Sequence, residues 1–401
     1  MEEFKSADKI QDLQNFGEFG GVNPSITDSS TYTFLKANTM QAVFEGNIEG
    51  CYLYSRHWNP SNLYLSKAMS ELEDTESALV SSSGMAAISS TLLQICSTGD
   101  EIVASRTIYG GTYALLKNYL PKFGITTRFV NTTSSEQVKQ AVSSKTKLIY
   151  CETMSNPMLE ITDIRELSKI AKDNQCLLVV DNTFSPMIFA PARLGADIVI
   201  HSLTKFINGM SDCVAGAICA SKEFIDSLYD VNNGSAMLLG PVLDSIRSAS
   251  ILKNLKTLHI RMRQHSSNAL YLSEKLEADG FRVIYPGLAS HPQHELIKNI
   301  GNRSFGHGGL FVIDLKEKEL ANQFMEAMQD ANIGYLAVSL GSYKTLFSAP
   351  GGSTSSEIPE EERMQMGLTD GLVRISIGLD DNIERTYLKM KECLEVVLDK
   401  V

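Results

Sequence analysis

Short apolar runs recurring between amphipathic helical stretches constrain this 401-residue chain more than any other feature. They stand at Glu101–Ala104, Lys147–Tyr150, Leu177–Val180 and Asp197–Ile200. Strands this short and without polar alternation are buried on both faces, and helices between them supply the crossovers of a parallel sheet. Thr162–Asn174 carries the helical pattern, with Ile164, Leu167, Ile170 and Ala171 on one face and Thr162 as the expected N-cap. The pattern predicts a doubly wound α/β domain with a mostly parallel sheet over residues 61–250.

After Ile251 the rhythm changes. Amphipathic helices at Arg263–Ala278 and Glu317–Asn332 alternate with strand-like pieces at Phe281–Tyr285 and Leu310–Leu315. The last helix carries the stripe Ile383, Tyr387, Met390, Leu394 and Val397, in steps of three and four. A smaller α+β domain over 251–401 is expected. Residues 1–60 hold turn-formers and aromatics (Gly17, Gly20, Gly21, Pro24, Tyr32, Phe34) without periodicity, so they are expected to lie across another surface, such as a neighbouring subunit.

Composition narrows the function classes. Hydrophobic residues at 43% and charged residues at 21% suit a chain with a sizeable core. The net charge of −11 repels phosphate backbones and anionic lipids, so neither nucleic acid nor a membrane surface is an expected partner. No apolar stretch reaches the roughly 20 residues that span a bilayer. The opening MEEFKSADKI is charged, unlike a signal peptide, which leads to a cytosolic expectation. Seven scattered cysteines, none in a C-x-x-C pair, read as buried hydrophobes rather than disulfides or zinc ligands. His291 and His294 read as loop histidines, and no metal is expected.

Ligands of open α/β sheets bind beyond the carboxyl ends of the strands. There the chain places Glu152 and Asn156, then Asp181, Asn182 and Thr183, then His201, Ser202, Thr204 and Lys205. Ser81-Ser82-Ser83-Gly84-Met85 opens a helical run, and its free N–H groups would cradle an anion. No Walker loop, dinucleotide-binding glycine fingerprint or nucleophile elbow is present, which disfavours the common alternative tenants of such sheets. Lys205 meets Phe206 and Ile207, apolar walls that destabilise an ammonium and suit Schiff-base chemistry. A lysine amine, an acid at Asp181 and a phosphate cradle together meet the needs of pyridoxal phosphate.

The motifs YSRHWNP, SSGMAA, YGGTY, ETMSNP, VVDNTF, HSLTKF, AVSLG and GLVRISIG run from Tyr54 to Gly378. In that order the chain resembles the Cys/Met-metabolism family of pyridoxal-phosphate enzymes. The resemblance implies the aspartate-aminotransferase-like fold type I. Within the family, FGEFGGVNPSI, YPGLASHPQH and GGSTSSEIP are most similar to plant-type methionine γ-lyases. That implies γ-elimination of L-methionine to methanethiol, 2-oxobutanoate and ammonia. The alternatives are γ-replacement on O-acylhomoserines, cystathionine cleavage, or a silent paralogue without cofactor.

By the same resemblance, Lys205 would hold the cofactor and shuttle protons. Asp181 would pair with the ring nitrogen, and Tyr109 would stack on the ring and act as acid at the leaving group. Gly84, Met85, Ser202 and Thr204 would bind the phosphate, joined by Tyr54 and Arg56 from the neighbouring subunit, with Tyr54 also near the substrate. Arg374 would clamp the substrate carboxylate, a bidentate task that lysine performs poorly. Asn156 and Ser339 would orient cofactor and substrate, Thr183 would support the ring, and Glu152 would stand behind it. Val338 replaces a frequent acidic residue and suits a thioether. Met210 and Gly111 depart from residues common in parts of the family. A shared active site implies at least a dimer, and the family's habit is a tetramer of two dimers.

Overall fold

The computed structural model describes residues 4–45, 47–48, 50–350, 361 and 369–398. The segment GGSTSSEIP lies outside them. Seven strands form the first sheet: β1 (Ser77–Ser81), β2 (Glu101–Ser105), β3 (Thr126–Val130), β4 (Thr146–Glu152), β5 (Leu177–Asp181), β6 (Ile198–Ser202) and β7 (Gly216–Ala220). Their order is β1-β7-β6-β5-β4-β2-β3. Only β7 runs against its neighbours. The four predicted runs are β2, β4, β5 and β6, each buried almost throughout, as strands covered on both faces must be.

Helix Ile164–Asp173 forms as the periodicity predicts, but its cap is one residue on. The Asp163 carboxylate accepts from the Arg165 and Glu166 N–H groups. Thr162 instead donates its hydroxyl to the Glu152 carbonyl at 2.8 Å, tying the loop after β4 to the strand end. The serine-rich stretch behaves as a helix start. Ser83 accepts from the Ala86 N–H at 2.9 Å, and helix Gly84–Ile95 follows.

A second sheet has the order β10-β11-β12-β9-β8, built from β8 (Arg282–Ile284), β9 (Leu310–Asp314), β10 (Gly334–Leu336), β11 (Thr345–Ser348) and β12 (Leu372–Ser376). Helices Lys318–Asp330 and Ile383–Leu398 cover it, burying Phe324, Met328, Met390 and Leu394 in a core of their own. The first core continues past residue 250. Helix Ser245–Leu255 buries Ile251, Leu252 and Leu255 in it, and Leu258 and Met262 still belong to it. Ala269, Leu272 and Leu276 of the same 21-residue helix, Leu258–Ala278, face the second core. The hand-over between cores therefore lies inside one continuous helix.

The N-terminal segment is only partly irregular, since it contains helices Ser6–Asp12 and Ala37–Phe44. It leaves Phe16, Phe19, Val22, Leu35 and Phe44 exposed. All seven cysteines are free, but Cys51 in this segment is exposed and Cys213 half-buried, against the buried reading. His294 opens helix His294–Ile300 rather than lying in a loop. Among the described residues no group of three or more His, Cys, Asp or Glu side chains could hold a metal, and no helix is long and apolar enough to cross a membrane.

Candidate active site

Three adjacent parallel strands end at one cavity. Glu152 closes β4, Asp181 closes β5 and Ser202 closes β6; the register sets Glu152 beside Asp181, and Ser202 lies two residues beyond Ile200, the register partner of Asp181. The cavity, of about 280 Å³, takes its floor from these ends and one wall from the start of helix Gly84–Ile95. Gly84 is required by that approach: a Cβ there would sit 2.8 Å from the Cβ of Ser202. On the far side β12 contributes Arg374. Its neighbours Val373 and Ile375 face the second core, so strand alternation turns Arg374 the other way, into the cavity.

Lys205 follows β6 by three residues, and its Nζ donates to the Ser339 hydroxyl at 2.7 Å. Burial, helped by the charge of Arg374, pushes its amine down to about 8. Arg374 is itself pushed down to about 10 by burial. Its guanidinium donates to Asn156 Oδ1 and to the Ser339 carbonyl, each at 3.0 Å, and to the Ser348 hydroxyl at 3.4 Å. Ser339 therefore joins both cations, and it does so with φ at 101°, a conformation that the surrounding packing must hold.

The acids shift the opposite way. Burial first, then the neighbouring Asp181, raises Glu152 well above the usual carboxylate range. Its Oε1 accepts the Tyr109 N–H at 2.7 Å, and its Oε2 is buried without a partner. Asp181 is raised by burial, against the restraining effect of Thr183, whose N–H donates to Oδ1 at 2.9 Å. The Tyr150 hydroxyl donates to Asp181 Oδ2 at 3.4 Å. Two carboxyls and two cations thus line one desolvated space, and the carboxyl floor has room for a further positive group.

Of the residues singled out in the sequence, Lys205, Asp181, Tyr109, Gly84, Met85, Asn156, Thr183, Ser202, Thr204, Arg374 and Ser339 all line this cavity. Glu152 lines it too, rather than standing behind it. The Tyr109 ring lies against Gly111, where a Cβ would come within 2.6 Å of the ring, so a larger residue at 111 would displace it. Two hydroxyls have backbone duties: Thr183 accepts the Ser202 N–H, and Thr204 accepts the Ala215 N–H.

Three residues do not join them in one chain. Tyr54 is half exposed, and Arg56 lies over its ring while donating to the Met237 carbonyl. Val338 is 61% exposed and outside the lining. Sequence reading missed Tyr150, Ser348, Phe184 and Val214. Only Tyr150 carries a local signal, its place two residues before the end of β4.

This lining suits pyridoxal phosphate. A glycine cradle with free helix N–H groups suits its phosphate, a buried carboxyl its ring nitrogen, and a desolvated amine its aldehyde. Fold and cavity define the class as a fold type I enzyme that anchors this cofactor on a lysine. Comparison with known proteins agrees. The profile of the Cys/Met metabolism PLP-dependent enzymes matches residues 7–386. Methionine gamma-lyase of Arabidopsis thaliana is 45% identical, over 94% of this chain and 87% of the relative. Cystathionine gamma-lyase of Bacillus subtilis is 39% identical, over 90% and 91%. A Campylobacter jejuni structure of the O-acetylhomoserine (thiol)-lyase type, which contains N'-pyridoxyl-lysine-5'-monophosphate, superposes with a TM-score of 0.90 at 28% identity, covering 98% of this chain and 100% of that one. The chain belongs to the Cys/Met metabolism family of PLP-dependent enzymes.

An amine pushed down to about 8 is the neutral nucleophile over a range where an ordinary lysine is still protonated. Cofactor-free protein should take up pyridoxal phosphate at a rate that falls below pH 8 and levels off above it. Stopped-flow growth of the visible band measures this, and Lys205→Ala should show no borohydride-sensitive band.

Proposed function

We propose that this enzyme eliminates the γ-substituent of L-methionine and, with the consumption of one water, releases methanethiol, 2-oxobutanoate and ammonia. The cavity around Arg374 carries the reading. It offers one buried guanidinium for one carboxylate, a wall of Met85, Ile88, Phe184, Val214 and Leu340, and no second arginine among the described lining residues. A thioether fits such a wall, whereas a second amino-acid head would be left without a partner. The 45% identity to a methionine gamma-lyase supports the same choice.

Pyridoxal phosphate, when bound, supplies an electron sink for charge developing at the substrate α-carbon. Gly84, Met85, Ser202 and Thr204 would hold its phosphate, and Asp181 would hold its ring nitrogen. Asn156 and Thr183 would orient the ring, and Arg374 would clamp the substrate carboxylate. The Lys205 amine takes the α-proton and then one from the β-carbon, so that the Cγ–S bond breaks; an amine pushed down to about 8 makes the first transfer feasible near neutral pH. The Tyr109 hydroxyl, at the cavity mouth, delivers a proton to the departing sulfur. Ser339 steers the Lys205 amine between these positions through its hydroxyl.

Cystathionine cleavage has one observation in its favour: Val338 is exposed and does not wall off the mouth. A panel of methionine, homocysteine, cystathionine and O-acetylhomoserine with sulfide, followed by keto-acid and thiol release, separates the readings. Methionine should be turned over with 2-oxobutanoate and methanethiol in equal amounts. Absence of that reaction beside fast turnover of cystathionine or O-acetylhomoserine overturns the proposal. Arg374→Lys should lower kcat/KM by about 30-fold or more, roughly 2 kcal/mol, because one point charge replaces a bidentate donor.

We further assign the protein to the cytosol, where seven free thiols are stable, and to a homotetramer of two dimers. The exposed apolar side chains of the N-terminal segment need cover, and Tyr54 and Arg56 do not line the cavity of their own chain. Sedimentation should give four times 44.1 kDa, and Arg56→Ala should weaken cofactor retention although Arg56 lines no cavity of its own chain's site.

A further inference from the structure

Behind the cavity, on the opposite face of the first sheet, a polar cluster is sealed into the core. Glu73, the last residue of helix Pro60–Glu73, and His201 on β6 are both fully buried. His201 Nε2 lies 2.6 Å from Glu73 Oε1, and Asn182 Nδ2 donates to the same oxygen at 3.0 Å. Asn182 and His201 stand side by side, since the Asn182 N–H donates to the Ile200 carbonyl at 2.8 Å. Side chains alternate along a strand. The residue before Asn182 and the residue after His201, Asp181 and Ser202, therefore face the cavity. One carboxylate grips from behind the two strand ends that carry the cofactor-facing acid and the approach to Lys205.

The contact is short and dry: His201 is the basic group touching Glu73, and Glu73 Oε2, Asn182 Oδ1 and His201 Nδ1 are buried without other partners, so the cluster is committed to this one shared oxygen. Other groups facing the pair are few. Helix Gly84–Ile95, packed on β6, carries no ionisable side chain. The Cys219 thiol on β7 is held well above its ordinary range by burial and then by Glu73. Asp181 on β5 faces the other way.

We propose that the buried hydrogen-bonded cluster of Glu73, His201 and Asn182 positions Asp181 and Ser202 from the rear of the sheet. An apolar contact would fasten helix to sheet without burying polar groups, so fastening alone does not account for it. His201 also offsets part of the burial that raises Asp181. This inference rests on cofactor binding by the family, and its readouts need no substrate, so it stands or falls apart from the methionine reading.

Glu73→Gln and His201→Asn should each raise the Kd for pyridoxal phosphate by about tenfold. Each should also move the pH midpoint of its visible band by about one unit. Leu72→Ala, on the same helix, should lower the melting temperature yet leave both readouts within twofold. If the two polar variants behave like Leu72→Ala, the pair is a fastening only and the positioning role is wrong. If neither variant folds, Asn182→Ala, which removes the other grip on Glu73 Oε1, is read in the same way.

Discussion

The desolvation of four ionisable groups around one cavity is the condition on which the rest depends. Lys205 and Arg374 are pushed toward losing protons, while Asp181 and Glu152 are pushed toward keeping them. Each shift comes first from burial. The chemistry of a lysine-anchored aldehyde cofactor uses both directions: a neutral amine to attack, and a carboxyl whose charge is favoured once a protonated ring nitrogen arrives. Water in this cavity would relax all four groups at once.

Two separate cores build that dry space. The first sheet delivers the acids and the lysine loop, and the second delivers Arg374 on a strand whose other face is Val373 and Ile375. Helix Leu258–Ala278 belongs to both cores. Ser339 then closes the joint, accepting from Lys205 through its hydroxyl and from Arg374 through its carbonyl. Its left-handed backbone is strain that the two contacts hold in place. A loop from the second part of the chain thereby sets the reach of an amine from the first.

The strand ends are legible in the chain because the carboxyl-end rule needs only the order of the apolar runs and the few residues just beyond each one. Asp181, Ser202, Lys205 and the serine-glycine helix start come from that rule. Arg374, Tyr109 and Ser339 are legible only through the family's motifs. A lone arginine between Val373 and Ile375 has the same local pattern as a strand-edge charge. Ser348 carries no local signal, because its place in the site comes from its pairing with Arg374 across the second sheet.

What the sequence by itself determined is the set of short-range facts. Apolar periodicity, turn chemistry and helix starts are written within about ten residues, so the strands, the Gly84 cradle and the lysine after β6 follow from local patterns. What only the tertiary structure decided depends on which elements meet. Asp163 displaces Thr162 as cap because Thr162 is needed by the Glu152 carbonyl. Val338, Tyr54 and Arg56 stay outside the lining of the cavity. Glu152 becomes a lining acid because β4 and β5 end in register. Burial is a property of the assembled layers, and the charge states that chemistry needs exist only once those layers close.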